Sequence, residues 1–248
     1  KGVMIKNNNV VNYCTKNKFN LMGGAIKSDC KKIVSVTSIA FDIFVTESLL
    51  PLINGMTIVM ADEEEQIFAK SFNSLVMKNN VDILQTTPSK MKLYMTDKEN
   101  RDFLSRLKVI ALGGEKFDIF LYKELQENTS AQIVNVYGPT ETTVWSTWYI
   151  AKGDEYELPI GQPLANTQVY ILNGEKLTGI NVKGELCIAG DGVSKGYINL
   201  PKLTSERFIK NPFGEGLLYR TGDIARWNAE GQIEFFGRND EQIKLFGH

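Results

Sequence analysis

Between about residues 30 and 150, short apolar runs rich in β-branched residues alternate with segments whose apolar positions recur at helical spacing. Residues 57–61 form one such run. Asp62-Glu63-Glu64-Glu65 follows it, setting a carboxylate cap and a glutamate three residues later ahead of Phe68, Phe72, Leu75 and Val76. That order predicts a strand and then a capped helix. The pattern repeats with an apolar run at 81–84, a Pro88-Ser89 break and a helix through Leu93. It repeats again with 109–112 ending at Gly113-Gly114, a helix around 120–125, and a run at 133–136. Such alternation predicts a parallel sheet with flanking helices, an α/β fold.

After Pro159 the spacing changes. Strand patterns at 168–172, 185–189 and 232–236 are separated by turn signals at Asn173-Gly174, Gly190-Asp191-Gly192 and Glu230-Gly231. This predicts a β-rich, barrel-like subdomain following the α/β part. No Ser/Pro-rich linker divides the two, so they are expected to share one rigid body.

Composition narrows the chemistry. The 248 residues carry 28 basic and 29 acidic side chains, a formal charge of −1, which disfavours nucleic acid and anionic membranes as partners. One histidine, the terminal His248, leaves no internal imidazole for a Ser-His-Asp triad or a His-rich zinc site. Cys14, Cys30 and Cys187 form no C-x-x-C pair and read as reduced structural thiols, which suggests a cytoplasmic location. No apolar run approaches the roughly 18 residues of a membrane span. The chain opens on Lys1-Gly2 and closes on Phe246-Gly247-His248, and is expected to be a piece of a longer polypeptide.

In open α/β sheets, ligands bind beyond the carboxyl ends of the strands. Two loops there follow apolar runs directly: Gly113-Gly114-Glu115, and Tyr137-Gly138-Pro139-Thr140-Glu141. The second offers an aromatic face, a glycine permitting close approach, a hydroxyl and a carboxylate, a set suited to a nucleotide with bound magnesium.

That loop lies within NVYGPTETTVWST, residues 135–147, which resembles the signature of the adenylate-forming superfamily and specifically of amino-acid adenylation domains from nonribosomal peptide synthetases. Four more strings resemble that family in its own order: FDIFVTESLLPLINGMTIVM from Phe41, GELCIAGDGVSKGYINLPKLTSERF from Gly184, YRTGDIARW from Tyr219 and GRNDEQIKLFGH from Gly237. The resemblance covers essentially the whole chain.

The resemblance implies activation of an amino acid by ATP to an aminoacyl-adenylate with release of pyrophosphate, then transfer to the phosphopantetheine thiol of a carrier protein. Thr140 and Glu141 would be catalytic, Glu141 as the Mg2+ ligand. Gly113, Gly114, Glu115, Asn135, Tyr137, Gly138, Thr140, Asp223 and Arg238 would bind ATP, with Tyr137 stacking on adenine and Asp223 accepting the ribose hydroxyls. Asp42 would pair with the substrate ammonium, and Ile43, Thr46, Gln85, Ile110, Leu112, Val136, Val144 and Trp145 would line the side-chain cavity. The bulk of Trp145 and Leu112 then predicts a small uncharged amino acid, glycine first and alanine second.

The implied division is 1–158 as a substrate- and nucleotide-binding α/β subdomain, 159–237 as the β-rich subdomain, and 238–248 as a hinge, pivoting at Asp240, with the start of a C-terminal lobe. Only Lys1-Gly2 of the family's phosphate loop is present, and the catalytic lysine of the C-terminal lobe, which Lys244 is not, would lie further on. Slow turnover is therefore expected. Implied partners are a peptidyl carrier protein and neighbouring synthetase domains. Two alternatives stay open: a D-alanine carrier-protein ligase or an acyl or aryl acid ligase of the same superfamily, and a non-catalytic binding or docking module.

Overall fold

A computed structural model describes residues 1–238. Along the first half run α1 (Asn7–Cys14), β1 (Lys32–Ser35), α2 (Phe44–Glu47), α3 (Leu49–Ile53), β2 (Thr57–Met60), α4 (Glu63–Ile67), α5 (Ala69–Asn79), β3 (Ile83–Thr86), α6 (Pro88–Tyr94), α7 (Phe103–Arg106), β4 (Val109–Gly113), α8 (Ile119–Asn128) and β5 (Gln132–Tyr137). There follow β6 (Thr147–Ile150), β7 (Gln162–Pro163), β8 (Thr167–Asn173), β9 (Lys176–Leu177), β10 (Gly184–Gly190), α9 (Pro201–Arg207), β11 (Phe208–Lys210), β12 (Leu217–Trp227) and β13 (Ile233–Arg238). The described residues form two compact units, one of residues 14–136 and 150–158, the other of residues 1–13, 137–149 and 159–238.

The first of these is the α/β unit. Its strands are parallel in the order β2-β1-β3-β4-β5. β3 and β4 are buried at every position, as suits strands covered on both faces. The Asp62 cap forms as expected: its carboxylate accepts from the Glu65 N–H at 2.8 Å, and Glu65 accepts from the Asp62 N–H at 2.9 Å. The single helix expected after it is two. Phe68 is extended at φ −100° and ψ 123°, closing α4 and opening α5. α4 buries no side chain, whereas the turn lets α5 aim Phe72, Leu75 and Val76 inward. Phe72 stacks on Tyr94 at 3.7 Å and meets Phe103 edge-on at 5.2 Å.

In the other unit, β11-β12-β10-β8-β9 form an antiparallel sheet, with β13 on the β12 edge. Alternate residues face inward, and Ile160, Ile171, Leu186, Ala225 and Ile233 form one core cluster. β12 runs for 11 residues through the Thr-Gly-Asp string, with a register irregularity between Asp223 and Ala225 against β13. The first residues of the chain are woven into this unit: Val3 bridges Tyr197, Met4 N–H donates to the Gly196 carbonyl at 2.9 Å, and Ile198 N–H donates to the Gly2 carbonyl at 2.9 Å.

The mixed architecture expected from the spacing is the one observed, a parallel sheet with helices and an antiparallel β-rich part. All three cysteines are buried and unpaired with one another; burial pushes the Cys14 thiol up to about 11 and the Cys187 thiol to about 12. Among the described residues no helix is long and apolar enough to cross a membrane. Asp240 and Lys244 lie outside the described residues.

Candidate active site

The loop leaving β5 carries most of the expected nucleotide residues. Gly138 is needed there for the chain's own sake: a Cβ would stand 2.4 Å from the Val144 carbonyl oxygen and 2.6 Å from the Trp145 Cα. A 3-10 turn at Thr140–Thr142 follows, and then Thr143 and Val144 adopt φ of 68° and 66°. Two consecutive left-handed non-glycine residues, both of them β-branched, are costly and persist only where their surroundings hold them. Here the Thr143 hydroxyl donates to the Gly192 carbonyl at 2.7 Å, and Thr142 and Ser146 hydroxyls pair at 2.6 Å. The Gly190-Asp191-Gly192 turn thus braces this loop.

At the start of the loop, the Tyr137 hydroxyl donates to Asp223 Oδ2, and Arg238 reaches Asp223 Oδ1 at 3.3 Å. Burial, then the neighbouring Asp223 carboxylate, push the Tyr137 phenol well above its ordinary range. It is a neutral donor at physiological pH. The Tyr137 ring lies 5.7 Å from Phe235. Three expected nucleotide residues, Tyr137, Asp223 and Arg238, therefore meet, together with the unforeseen Phe235.

Four residues after Tyr137, Glu141 is buried rather than a solvated carboxylate. The Tyr197 hydroxyl donates to its Oε1 at 2.6 Å, and Lys1 Nζ lies 3.1 Å from the same oxygen. Lys1 also donates to the Tyr197 hydroxyl at 3.2 Å and sits over its ring at 4.4 Å. Burial favours neutral Glu141, but the Tyr197 hydrogen bond and the Lys1 charge outweigh it, holding the carboxyl below its ordinary 4.5. Lys1 is raised for the reciprocal reason, Glu141 outweighing its own desolvation. Tyr197 had no signal in the sequence beyond its place in the GYINLP string.

Among the described residues no three His, Cys, Asp or Glu side chains gather as a metal site. Glu141 offers one ionised, hard oxygen donor, which fits magnesium held through one or two carboxylates plus substrate phosphates and water.

The remaining candidates belong mostly to the α/β unit. Asp42 and Ile43 form the turn entering α2, where Val45 N–H donates to the Asp42 carbonyl at 2.9 Å and Thr46 N–H to Ile43 at 3.0 Å. Asp42 is half-buried and Thr46 buried. Gln85 is 1 % exposed on β3, and neither of its amide atoms has a hydrogen-bond partner. Gly113 ends β4 and Gly114 turns at φ +81°. Glu115 Oε2 accepts from the Ser89 N–H at 3.1 Å and from its hydroxyl, so this carboxylate caps α6. Asn135 is buried on β5.

The strand register divides the residues expected to line the cavity between the two faces of the sheet. Gln85 pairs with Ala111, Ala111 with Val134, and Gly113 with Val136. Paired residues of a parallel sheet share a face, and alternate residues point oppositely. Gln85 and Val136 therefore share their face with Ala111 and Gly113, whereas Ile110 and Leu112 point to the other side, with Asn135. Val144 and Trp145 are buried in the β-rich unit, and the Trp145 indole N–H has no partner.

Residues 1–198 match the family described as AMP-binding enzyme. Tyrocidine synthase 3 of Brevibacillus parabrevis is 36% identical over 251 residues, covering 100% of this chain and 4% of the synthase. Surfactin synthase subunit 3 of Bacillus subtilis (strain 168) is 39% identical over 227 residues, covering 89% of this chain and 18% of that subunit. The chain thus spans a small part of these relatives. A solved four-domain nonribosomal peptide synthetase bound to AMP and glycine superimposes with a TM-score of 0.86 at 32% identity, over 100% of this chain and 18% of its own. A synthetase protein with adenylation and carrier domains, bound to a vinylsulfonamide inhibitor, gives 0.86 at 26% identity, over 96% and 42%.

Proposed function

The chain belongs to the AMP-binding enzyme family, and from that premise we propose that it is the core of an adenylation domain of nonribosomal peptide synthetase type. It would activate an amino acid with ATP, release pyrophosphate, and serve a carrier protein that takes the acyl group as a thioester in the cytoplasm. The observation that carries this is the loop 137–141, which delivers Tyr137 to Asp223 and Arg238 and Glu141 to Lys1 and Tyr197.

In chemical terms, Asp223 and Arg238 fix one end of a nucleotide and Thr140 donates to its α-phosphate. Magnesium held by Glu141 would offset the charge on the triphosphate as pyrophosphate leaves. Lys1, now paired with Glu141, would release toward phosphate oxygens. Asp42 would hold the substrate ammonium. That pairing with an ammonium favours an amino acid over the acyl or aryl acid alternative.

The substrate we propose is small and uncharged, glycine before alanine. The relative bound to glycine supports this, as does the bulk of Trp145. Leu112 no longer does, since it lies on the opposite face of β4 from Gln85. A panel of amino acids in ATP–pyrophosphate exchange tests the assignment: glycine or alanine should stimulate exchange, and selective exchange with a large aromatic or charged residue would refute it. A pure binding module would instead take up ATP and amino acid with no exchange under any condition.

A further inference from the structure

Glu47 is a fully buried carboxylate that none of the chemistry above uses. It ends α2, five residues after Asp42. Its Oε2 accepts from the Val36 N–H at 2.7 Å, the Thr37 N–H at 2.9 Å and the Ser35 hydroxyl at 3.0 Å. Its Oε1 accepts from the Thr37 hydroxyl at 2.6 Å. Ser35 is the last residue of β1, so one carboxylate gathers the carboxyl end of that strand. Lys90, from α6, completes the clasp by donating to the Val36 carbonyl at 2.6 Å. The N–H and the C=O of Val36 are thus gripped from opposite partners.

Residues 38–43 join these two fixed ends, and Asp42 stands in that short turn. Inside it, the Phe41 N–H donates to the Ser38 carbonyl at 3.0 Å and the Ala40 N–H to the Ser38 hydroxyl at 3.3 Å. Burying a carboxylate is expensive, and an apolar residue of similar size would satisfy packing without that cost. An apolar side chain would leave the two backbone N–H groups of Val36 and Thr37 without their acceptor. The turn between them would lose its anchor.

Resting on the assignment of Asp42 to the substrate ammonium, we propose that Glu47 is a positioning residue that fixes the turn 38–43 so that Asp42 meets an amino acid in one geometry. It touches no substrate itself. Its effect falls on amino-acid binding and spares the nucleotide.

Equilibrium dialysis of the full chain tests this, with each of the twenty radiolabelled amino acids and, separately, AMP. Glu47→Met should weaken binding of the preferred amino acid by about tenfold or more, with AMP affinity changed by less than about twofold. Glu47→Gln should stay within about threefold of wild type, since its amide oxygen can take the place of Oε2 and the Thr37 hydroxyl can turn toward its NH2 group. Thr37→Val removes one donor from a half-buried site and should cost about three- to fivefold in amino-acid affinity; it decides the matter if Glu47→Met does not fold. Wild-type amino-acid affinity in Thr37→Val, or in a folded Glu47→Met, while Asp42→Ala has lost binding, would overturn the role of Glu47 alone. So would an equal loss of AMP and amino acid. A wild-type chain that takes up none of the twenty, or an Asp42→Ala variant that binds as well as wild type, would remove the assignment of Asp42 and this inference with it.

Discussion

Glu141 shows how a side chain's surroundings decide its chemistry. It is ionised although buried because Tyr197 and Lys1 both address Oε1. Tyr197→Phe keeps the ring and its edge-on contact with Phe208 while deleting the hydroxyl; it should lower unfolding free energy by about 1.5–3 kcal/mol, as for other hydrogen bonds to charged groups. Urea denaturation at neutral pH measures this. The sign of the pH effect follows from the lowered pKa. Stability contributed by Glu141 is present above its ordinary 4.5 and is lost as pH falls through its folded-state value. Melts of wild type and Glu141→Gln should therefore differ in slope below about pH 5 and run parallel above it. Of this cluster only the carboxylate was legible in the sequence. Tyr197 lies 56 residues from Glu141, and no spacing rule connects a motif in one strand system to a loop outside it.

Gln85 presents the opposite situation, an amide buried without partners. Gln85→Met, of similar shape, should raise stability by about 1–2 kcal/mol by removing the unsatisfied amide, seen as a higher midpoint at unchanged slope in denaturant. A loss of stability would mean that the amide is satisfied in solution.

For the elements, local signals suffice where local physics decides. The Asp62 cap and the runs that became β3, β4 and β5 followed from capping and β-branched composition. Orientation within a strand did not, because a shift of one residue inverts every side chain and the sequence 109–113 is apolar on both faces. Only pairing with β3 and β5 shows that Ala111 and Gly113, rather than Ile110 and Leu112, accompany Gln85. Leu112→Ala should thus cost about 2–5 kcal/mol as a core truncation while leaving the order of amino acids in the exchange panel unchanged. Ala111→Leu should alter that order. Gly138→Ala tests the loop itself, since its Cβ would meet the backbone of Val144 and Trp145. A loss of about 1–3 kcal/mol is expected from the overpacking, measured by thermal melting.

At the scale of the molecule, alternating and non-alternating hydrophobic runs announced the two kinds of sheet. They could not announce that residues 1–13 and 137–149 belong with the β-rich part, since membership of a unit is set by contacts between residues far apart in sequence. The strap formed by the first residues is the clearest case. Removing residues 1–4 takes away the bridge at Val3, the backbone bonds of Gly2 and Met4, and the Lys1 ammonium beside Glu141. The shortened chain should melt lower and bind ATP with magnesium more weakly in calorimetry; unchanged binding would remove Lys1 from the nucleotide site.

That strap also sets an order of events at the ribosome. Lys1 waits for Tyr197, 196 residues away, which at about 5–20 residues per second is roughly 10–40 s of synthesis during which its pairing edge stays unoccupied. In that interval the backbone groups of Gly2 and Met4 lack their partners at Gly196 and Ile198, so faulty pairing between siblings on the same polysome is the hazard this topology carries, and early chaperone capture is what would relieve it.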